Sequence, residues 1–334
     1  MARIVILNGV AGAGKTSILR AWQELNEEPY LDAGIDRFLR MLPARYLEPP
    51  LWHDVMGRHD RAGDVGRRLM SAMHHSIAAV ARTGVSVVAD HVILERAWLA
   101  ECARLFRGLD AYLVGVHCPL AVLEQRERER PDRQATAGEA VRQFDVVHAG
   151  AAYDVEVDSS LLTPTAAAAA IRDHVEACPP RALRLLELFE GAPAFVRRLL
   201  AEPSADPVDT LLERAERVAL AMPAAEQVAL LDAHPRIGAA RGSVSALSFH
   251  EQGYDRDAGT AELQARLDRL NYEYERRYGF RFVVFVQGRP RAEIADLLER
   301  TIGEPRPAEL RRGLRDVIAI GRDRHNQLSQ EEPT

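Results

Sequence analysis

Residues Gly9-Val10-Ala11-Gly12-Ala13-Gly14-Lys15-Thr16 fit the pattern GxxxxGK[ST]. They stand between an apolar run, Ile4–Leu7, and a segment with helical spacing at Ile18, Leu19, Trp22 and Leu25. That context, strand then glycine-rich turn then helix, is the one in which backbone N–H groups form a concave anion cradle. Lys15 is the chain's one lysine, and every other basic residue among the 43 is arginine. A single compact ammonium kept at this position points to a place where a guanidinium does not fit, such as beneath phosphates. The expected ligand is ATP or GTP, held by Gly9, Gly12, Ala13, Gly14 and Ser17 around the β-phosphate. Lys15 would bridge the β- and γ-phosphates, and the Thr16 hydroxyl would ligate Mg²⁺. The alternative is a glycine-rich turn that only caps a helix.

The surrounding chain alternates in a compatible way. Val85–Ala89, Tyr112–Val116 and Val155–Val157 are further short apolar runs, and the Ala-rich stretch Thr165–His174 reads as a helix. Strands alternating with helices predict βαβ units and a parallel sheet covered on both faces. Ala177-Cys178-Pro179-Pro180-Arg181 interrupts the alternation, placing a boundary between a domain at 1–178 and a second at 183–330. Beyond it the spacing is helical. Asp206-Pro207 and Pro223 open helices, Leu263, Leu267, Leu270 and Tyr274 form a stripe stopped by Gly279, and Ala292–Ile302 and Ala308–Ile320 follow. The fold class expected is an α/β P-loop NTPase followed by an all-α helical domain. Phe280–Val286 stands out as an aromatic and β-branched run that reads as a strand or a buried extended segment.

Composition excludes several classes. Among 334 residues, 47% are hydrophobic and 28% charged, with a net charge of -6 spread through interleaved Arg and Asp/Glu, so no nucleic-acid groove is expected. No stretch reaches the ~18 uninterrupted apolar residues of a membrane span. Met1–Leu7 runs straight into a strand without a signal-peptide plan, and three widely spaced cysteines make no disulfide framework. These features predict a cytoplasmic protein without membrane or nucleic-acid partners.

Phosphoryl transfer requires a metal-side acid, a base near the acceptor and cations over the moving phosphate. Asp90 follows the run Gly84–Ala89 and is expected at the sheet's C-terminal edge as the metal-side acid, or as a helix N-cap. Asp36, in Gly34-Ile35-Asp36, is placed to take the acceptor's proton, with an N-cap again the alternative. Arg126, Arg130 and Arg133 lie in an alternating charge run that is either a solvated helix face or a lid over the γ-phosphate.

Asn8-Gly9 with its loop, Gly34-Ile35-Asp36, Val114-Gly115-Val116-His117-Cys118 and Val146-Val147-His148 followed by Tyr153–Asp158 resemble chloramphenicol phosphotransferase and its relatives over about residues 2–176. The resemblance implies a fold like small nucleoside-monophosphate kinases, ATP with Mg²⁺, and phosphorylation of a hydroxyl with Asp36 as general base. His91 departs from an aspartate in the antibiotic kinase, and Leu42–Arg68 differs, so the reaction type is carried over and the antibiotic is not.

In the second half, His234-Pro235-Arg236-Ile237-Gly238 ends a helix, and Ser248-Phe249-His250-Glu251-Gln252 follows a small-residue loop. By spacing alone, His234 could interact with a helix dipole and Ser248 with Glu251 could form a capping box. These motifs, with Phe189–Pro193, Leu270-Asn271-x-x-Tyr274 and Phe280–Val286, resemble OHCU decarboxylase from about Leu186 to Leu328. That family acts on 2-oxo-4-hydroxy-4-carboxy-5-ureidoimidazoline in urate oxidation to (S)-allantoin. The resemblance implies an all-helical, commonly dimeric domain without a cofactor. It makes His234 the acid/base candidate beside Glu251, with Pro235, Ser248 and Gln252 on the substrate and Arg281 or Arg289 as candidate partners of its carboxylate. The combined expectation is a bifunctional fusion acting on small molecules and dimerising through the helical domain. Two alternatives are a kinase with an inactive helical half, and a nucleotide-sensing or assembly module attached to the decarboxylase.

Overall fold

The computed structural model describes residues 2–48, 50–56, 62–129, 138–201, 206–239 and 260–331. The chain divides into two compact units, Met1–Glu187 with Leu200–Pro207, and Leu188–Leu199 with Val208–Thr334.

The first unit is built on β1 (Arg3–Asn8), β2 (Tyr30–Asp32), β3 (Ser86–His91), β4 (Asp110–His117) and β5 (Val155–Asp158). They pair in the order β2-β3-β1-β4-β5, every pair parallel. Parallel strands need long crossovers, here supplied by α1 (Lys15–Leu25), α2 (Ile35–Leu39), α3 (Trp52–Met56), α4 (Asp64–Arg82), α5 (Arg96–Leu105), α6 (Leu120–Arg128) and α7 (Glu139–Val147), with α8 (Pro164–Ala177) after β5. The α/β expectation holds, and the reason is visible in the core. Val5, Leu7, Val88, Val114 and Val116 of the sheet pack with Ile18, Leu19, Trp22 and Ile171, each buried side chain being worth about 1.5–3 kcal/mol. Strand β3 starts one residue later than its apolar run, because Gly84 turns in the left-handed region and leaves Val85 exposed. Asp90 and His91 are therefore the last two residues of the strand, not residues beyond it. Since all five strands run the same way, their C-terminal ends share one edge. The chain goes to one side of β1 for β2 and β3, then to the other for β4 and β5. The loop after β1 thus opens at the topological switch point, where such sheets bind ligands.

After α9 (Ala182–Leu188), α10 (Pro193–Leu200) and α11 (Val208–Ala221), the chain continues through α12 (Ala224–Asp232), α13 (Ala261–Tyr278), α14 (Arg291–Thr301) and α15 (Arg306–Glu331). Thr260 caps the start of α13 through its hydroxyl, and Gly279, at φ 74°, ends it. Phe280–Val286 is not a strand, which corrects that reading of its composition. The segment lies among rings, with Tyr274 5.9 Å from Phe280 and 5.2 Å from Phe282. Side chains take its backbone bonds instead of a neighbouring strand: Arg312 donates to the Val283 carbonyl, Arg289 to those of Phe285 and Val286, and Asp232 accepts from the Arg281 amide. A run buried on all sides has the same composition as a central strand, so periodicity does not separate the two. Helix α15 also runs past its expected end at Ile320, with Arg324, 1% exposed, and Arg322 tying its later turns to backbone carbonyls.

Candidate active sites

In the first unit the loop after β1 brings the phosphate-loop residues to one cavity. A Cβ on Gly9 would fall 2.4 Å from the Val116 carbonyl, so only glycine lets β1 and β4 close here. Gly12 and Gly14 have φ of 81° and 85°, the left-handed region that glycine enters without strain. Ala13 is buried against the core, and Gly14 leaves α1 without a side-chain cap. The N–H groups at the start of α1 therefore face the loop uncapped, as an anion site requires. The Lys15 ammonium, 7% exposed, donates to the Gly9 carbonyl at 2.7 Å and the Val10 carbonyl at 2.8 Å. Thr16 donates its hydroxyl to Asp90 Oδ2 at 2.5 Å, linking the loop to β3. A Cβ on Gly34 would lie 2.1 Å from Asp90 Oδ1, so Gly34 yields its side-chain space to that carboxylate. Two residues on, Asp36 stands in the first turn of α2.

Gly12, Gly14, Lys15, Thr16, Ser17, Asp36 and Asp90 all line a cavity of about 300 Å³. Its far wall is apolar, formed by Leu39, Trp52, Val55, Met70, Leu94 and Trp98. Arg126 is not in that lining. Its guanidinium donates to the Ser159 hydroxyl at 3.1 Å and the Ser159 carbonyl at 2.7 Å, behind the loop at Gly12 and Gly14. Arg130 and Arg133 lie outside the described residues. Gln143 of α7 was not legible from any motif, yet its Oε1 accepts from the Ala11 amide at 3.0 Å and it lines the cavity. His91 is fully buried, its Nε2 2.8 Å from His74 Nε2, while His74 Nδ1 is 2.6 Å from Glu101. Burial lowers the pKa of both histidines.

These groups fit a bound nucleotide and Mg²⁺: a loop that requires glycine, an uncapped helix start, a buried ammonium and a carboxylate paired with a hydroxyl converge on one opening.

In the second unit His234 follows α12 and is 3% exposed. Its Nδ1 lies 3.2 Å from the Leu230 carbonyl, which assigns the proton to Nδ1. Nε2 then carries a bare lone pair, and among the described residues it is buried without a partner. Burial, and then the charge of Arg324, push the His234 pKa down to about 4, so the ring is neutral at pH 7. A helix-dipole role, which favours the charged ring, does not describe this histidine. Arg324 of α15, 1% exposed, pairs with Glu190 at 2.8 Å and donates to the Leu188 carbonyl at 3.0 Å. Glu190 adopts φ 51°, an uncommon conformation outside glycine. Neither residue was singled out by spacing: in a helix dense with charge, Arg324 reads as solvated.

Arg281 donates to the carbonyls of Asp232 and His234, both at 2.7 Å, so it braces the His234 segment through its backbone. Arg289 is spent on the Phe285 and Val286 carbonyls. Pro235 is half-buried beside His234, and Ser248, Glu251 and Gln252 lie outside the described residues. The Asn271 amide donates to the Ile237 carbonyl at 2.9 Å, and its Oδ1 is buried with no partner. Each unpartnered buried acceptor of this kind costs about 1–3 kcal/mol.

The first unit is thus a P-loop kinase-type domain, and the second a helical domain around a buried neutral histidine. The chain belongs to the family described as chloramphenicol phosphotransferase-like protein, which matches residues 2–176, and residues 180–326 match OHCU decarboxylase. A Mycobacterium tuberculosis (strain H37Rv) protein named "Putative O-phosphotransferase" is 32% identical over 190 residues, covering 53% of this chain and 84% of its own. The 2-oxo-4-hydroxy-4-carboxy-5-ureidoimidazoline decarboxylase of Haloferax volcanii is 27% identical over 134 residues, covering 40% of this chain and 80% of its own. Among solved structures, (S)-allantoin synthase matches at 17% identity with a TM-score of 0.35, over 43% of this chain and 48% of that one. The protein is therefore a fusion of the two domains. No described helix is long and apolar enough to cross a membrane.

Proposed function

We propose that the chain is a bifunctional enzyme, a decarboxylase of 2-oxo-4-hydroxy-4-carboxy-5-ureidoimidazoline joined to an ATP-dependent phosphotransferase for a small hydroxyl compound. The observation that carries the first activity is His234: buried, neutral and with an unpartnered Nε2 inside the matched domain. Decarboxylation breaks the bond from C4 to its carboxylate, and the electron pair is taken up by the adjacent ring C=N. Nε2, which starts bare, accepts the 4-hydroxyl proton, and the imidazolium so formed returns one proton to C5. CO₂ leaves, the ring nitrogen that received the electron pair takes up one proton from water, and delivery to C5 from one side sets the (S) configuration. The charge of Arg324 lowers the His234 pKa, and it favours a substrate anion over histidine protonation. In this reading Glu251, Gln252, Ser248 and Pro235 act on the substrate with His234, and the domain uses no cofactor.

In the first unit, Lys15, Thr16 and Asp90 would hold the nucleotide and Mg²⁺ with the backbone of Gly9–Ser17. When bound, they supply the transferable phosphoryl group and offset its charge. Asp36 takes the proton of the acceptor hydroxyl from the same cavity. The wall of Trp52, Trp98, Leu39 and Met70 suits an acceptor with an apolar or flat body better than a polar ureide. The reading includes a homodimer formed through the helical domain and a cytoplasmic location.

The test of the decarboxylase is optical. With substrate made in place from urate, the folded protein is expected to produce circularly dichroic (S)-allantoin, and His234→Ala to leave the racemic product of spontaneous decay. An optically silent product from wild type overturns the reading. For the kinase, ADP formation across a panel of hydroxyl compounds is expected with wild type and absent with Asp36→Asn; ATP binding without turnover for any acceptor favours a sensing role.

A further inference from the structure

Among the described residues, the second unit holds two buried acceptor atoms without partners, on elements joined by one hydrogen bond. His234 Nε2 is one; the Asn271 Oδ1 is the other. Asn271, 3% exposed on α13, is tied to the His234 segment because its amide donates to the carbonyl of Ile237, three residues past the histidine. That bond also fixes which end of the side chain is oxygen. Both unpartnered atoms are therefore acceptors: a ring nitrogen whose proton sits on Nδ1, and an amide oxygen.

Three described donors nearby are committed elsewhere: Arg281 donates to the Asp232 and His234 carbonyls, Arg236 to Glu275 at 2.7 Å, and the Gln264 amide to the Gly238 carbonyl at 2.9 Å. Buried acceptors are rarely left unmatched, and two of them on elements tied together at Ile237 call for a ligand rich in N–H or O–H groups. A ureido-imidazoline carries several N–H donors, on the ring and on the ureido group.

We propose that Asn271 is a substrate-contacting residue, its Oδ1 accepting a hydrogen bond from an N–H of the ureide while its amide group holds the His234 segment in register. The proposal rests on the decarboxylase reading and adds a specificity determinant to it: the site selects for an unsubstituted N–H at one position of the ligand.

The experiment measures binding of (S)-allantoin and of its singly N-methylated forms to the full-length protein by calorimetry, beside the optical assay. Wild type is expected to bind at least one N-methyl form about tenfold more weakly, the value of one net hydrogen bond. In Asn271→Leu that ratio collapses towards one, and KM rises about tenfold. Asn271→Asp keeps the acceptor and loses the donor to Ile237, so it is expected to keep the ratio while weakening both affinities, which separates the ligand contact from the support of the His234 segment. If Asn271→Leu keeps the wild-type ratio, or if wild type shows no discrimination at any nitrogen while making (S)-allantoin, the assignment falls and the decarboxylase reading stands. A folded wild type that binds no ureide and makes no (S)-allantoin removes both.

Discussion

Lys15 shows how a single side chain is set by its surroundings. Its ammonium reaches two loop carbonyls from a nearly closed position, and a planar guanidinium is wider and donates in a fixed fork. Lys15→Arg is accordingly expected to weaken ATP binding by roughly tenfold or more, measured calorimetrically, although arginine fills every other basic position in this chain. Asp36→Asn is expected to leave ATP affinity unchanged while transfer falls by about 10²–10⁴, the usual worth of a general base. His234 carries a pH prediction. Its pKa of about 4 in the fold lies below the ordinary value of 6.5, so between those values the unfolded chain binds more protons than the folded one. This group's contribution to stability is thus full above about pH 6.5 and is lost as pH falls towards 4, by about 3 kcal/mol. Urea midpoints followed from pH 7 to 4 are expected to fall less steeply in His234→Gln than in wild type. The motif residues were legible because their chemistry is local, eight consecutive positions in one turn. Gln143, Glu190 and Arg324 were not, since each acquires meaning only from a partner far away in sequence.

At the scale of elements, apolar runs located β1, β3, β4 and β5 to within two or three residues at either end, because parallel strands buried on both faces are continuously hydrophobic. The same signal failed at Phe280–Val286, where burial came from rings and the hydrogen bonds from arginine and aspartate side chains. It also cut α15 short at Ile320, where Arg322 and Arg324 continue the helix on backbone carbonyls of α11 and α9. Gly321 precedes both, and a Cβ there would meet Phe189 Cε1 at 2.6 Å and Cζ at 2.8 Å. The ring cannot swing away freely, since it packs edge-on against Phe195 at 4.8 Å. Alanine gains about 1 kcal/mol of helix propensity at such a site, against an overpacking cost of about 1–3 kcal/mol. Gly321→Ala is therefore expected to be net destabilising, read as a lower urea midpoint of the helical unit.

For the whole molecule, two compact units carry the two proposed sites, and the account predicts that each works when the other is disabled. Lys15→Met is expected to lose ATP binding and keep decarboxylation; His234→Ala is expected to do the reverse. Sedimentation of the full chain is expected to give a dimer that persists in Lys15→Met, since the proposed contact lies in the helical unit. The most direct measurement is circular dichroism of the product formed when urate is oxidised in the presence of this protein. The account predicts a growing (S)-allantoin signal that survives Lys15→Met and disappears with His234→Ala. A flat signal from folded wild type, with racemic allantoin accumulating at the spontaneous rate, would contradict it.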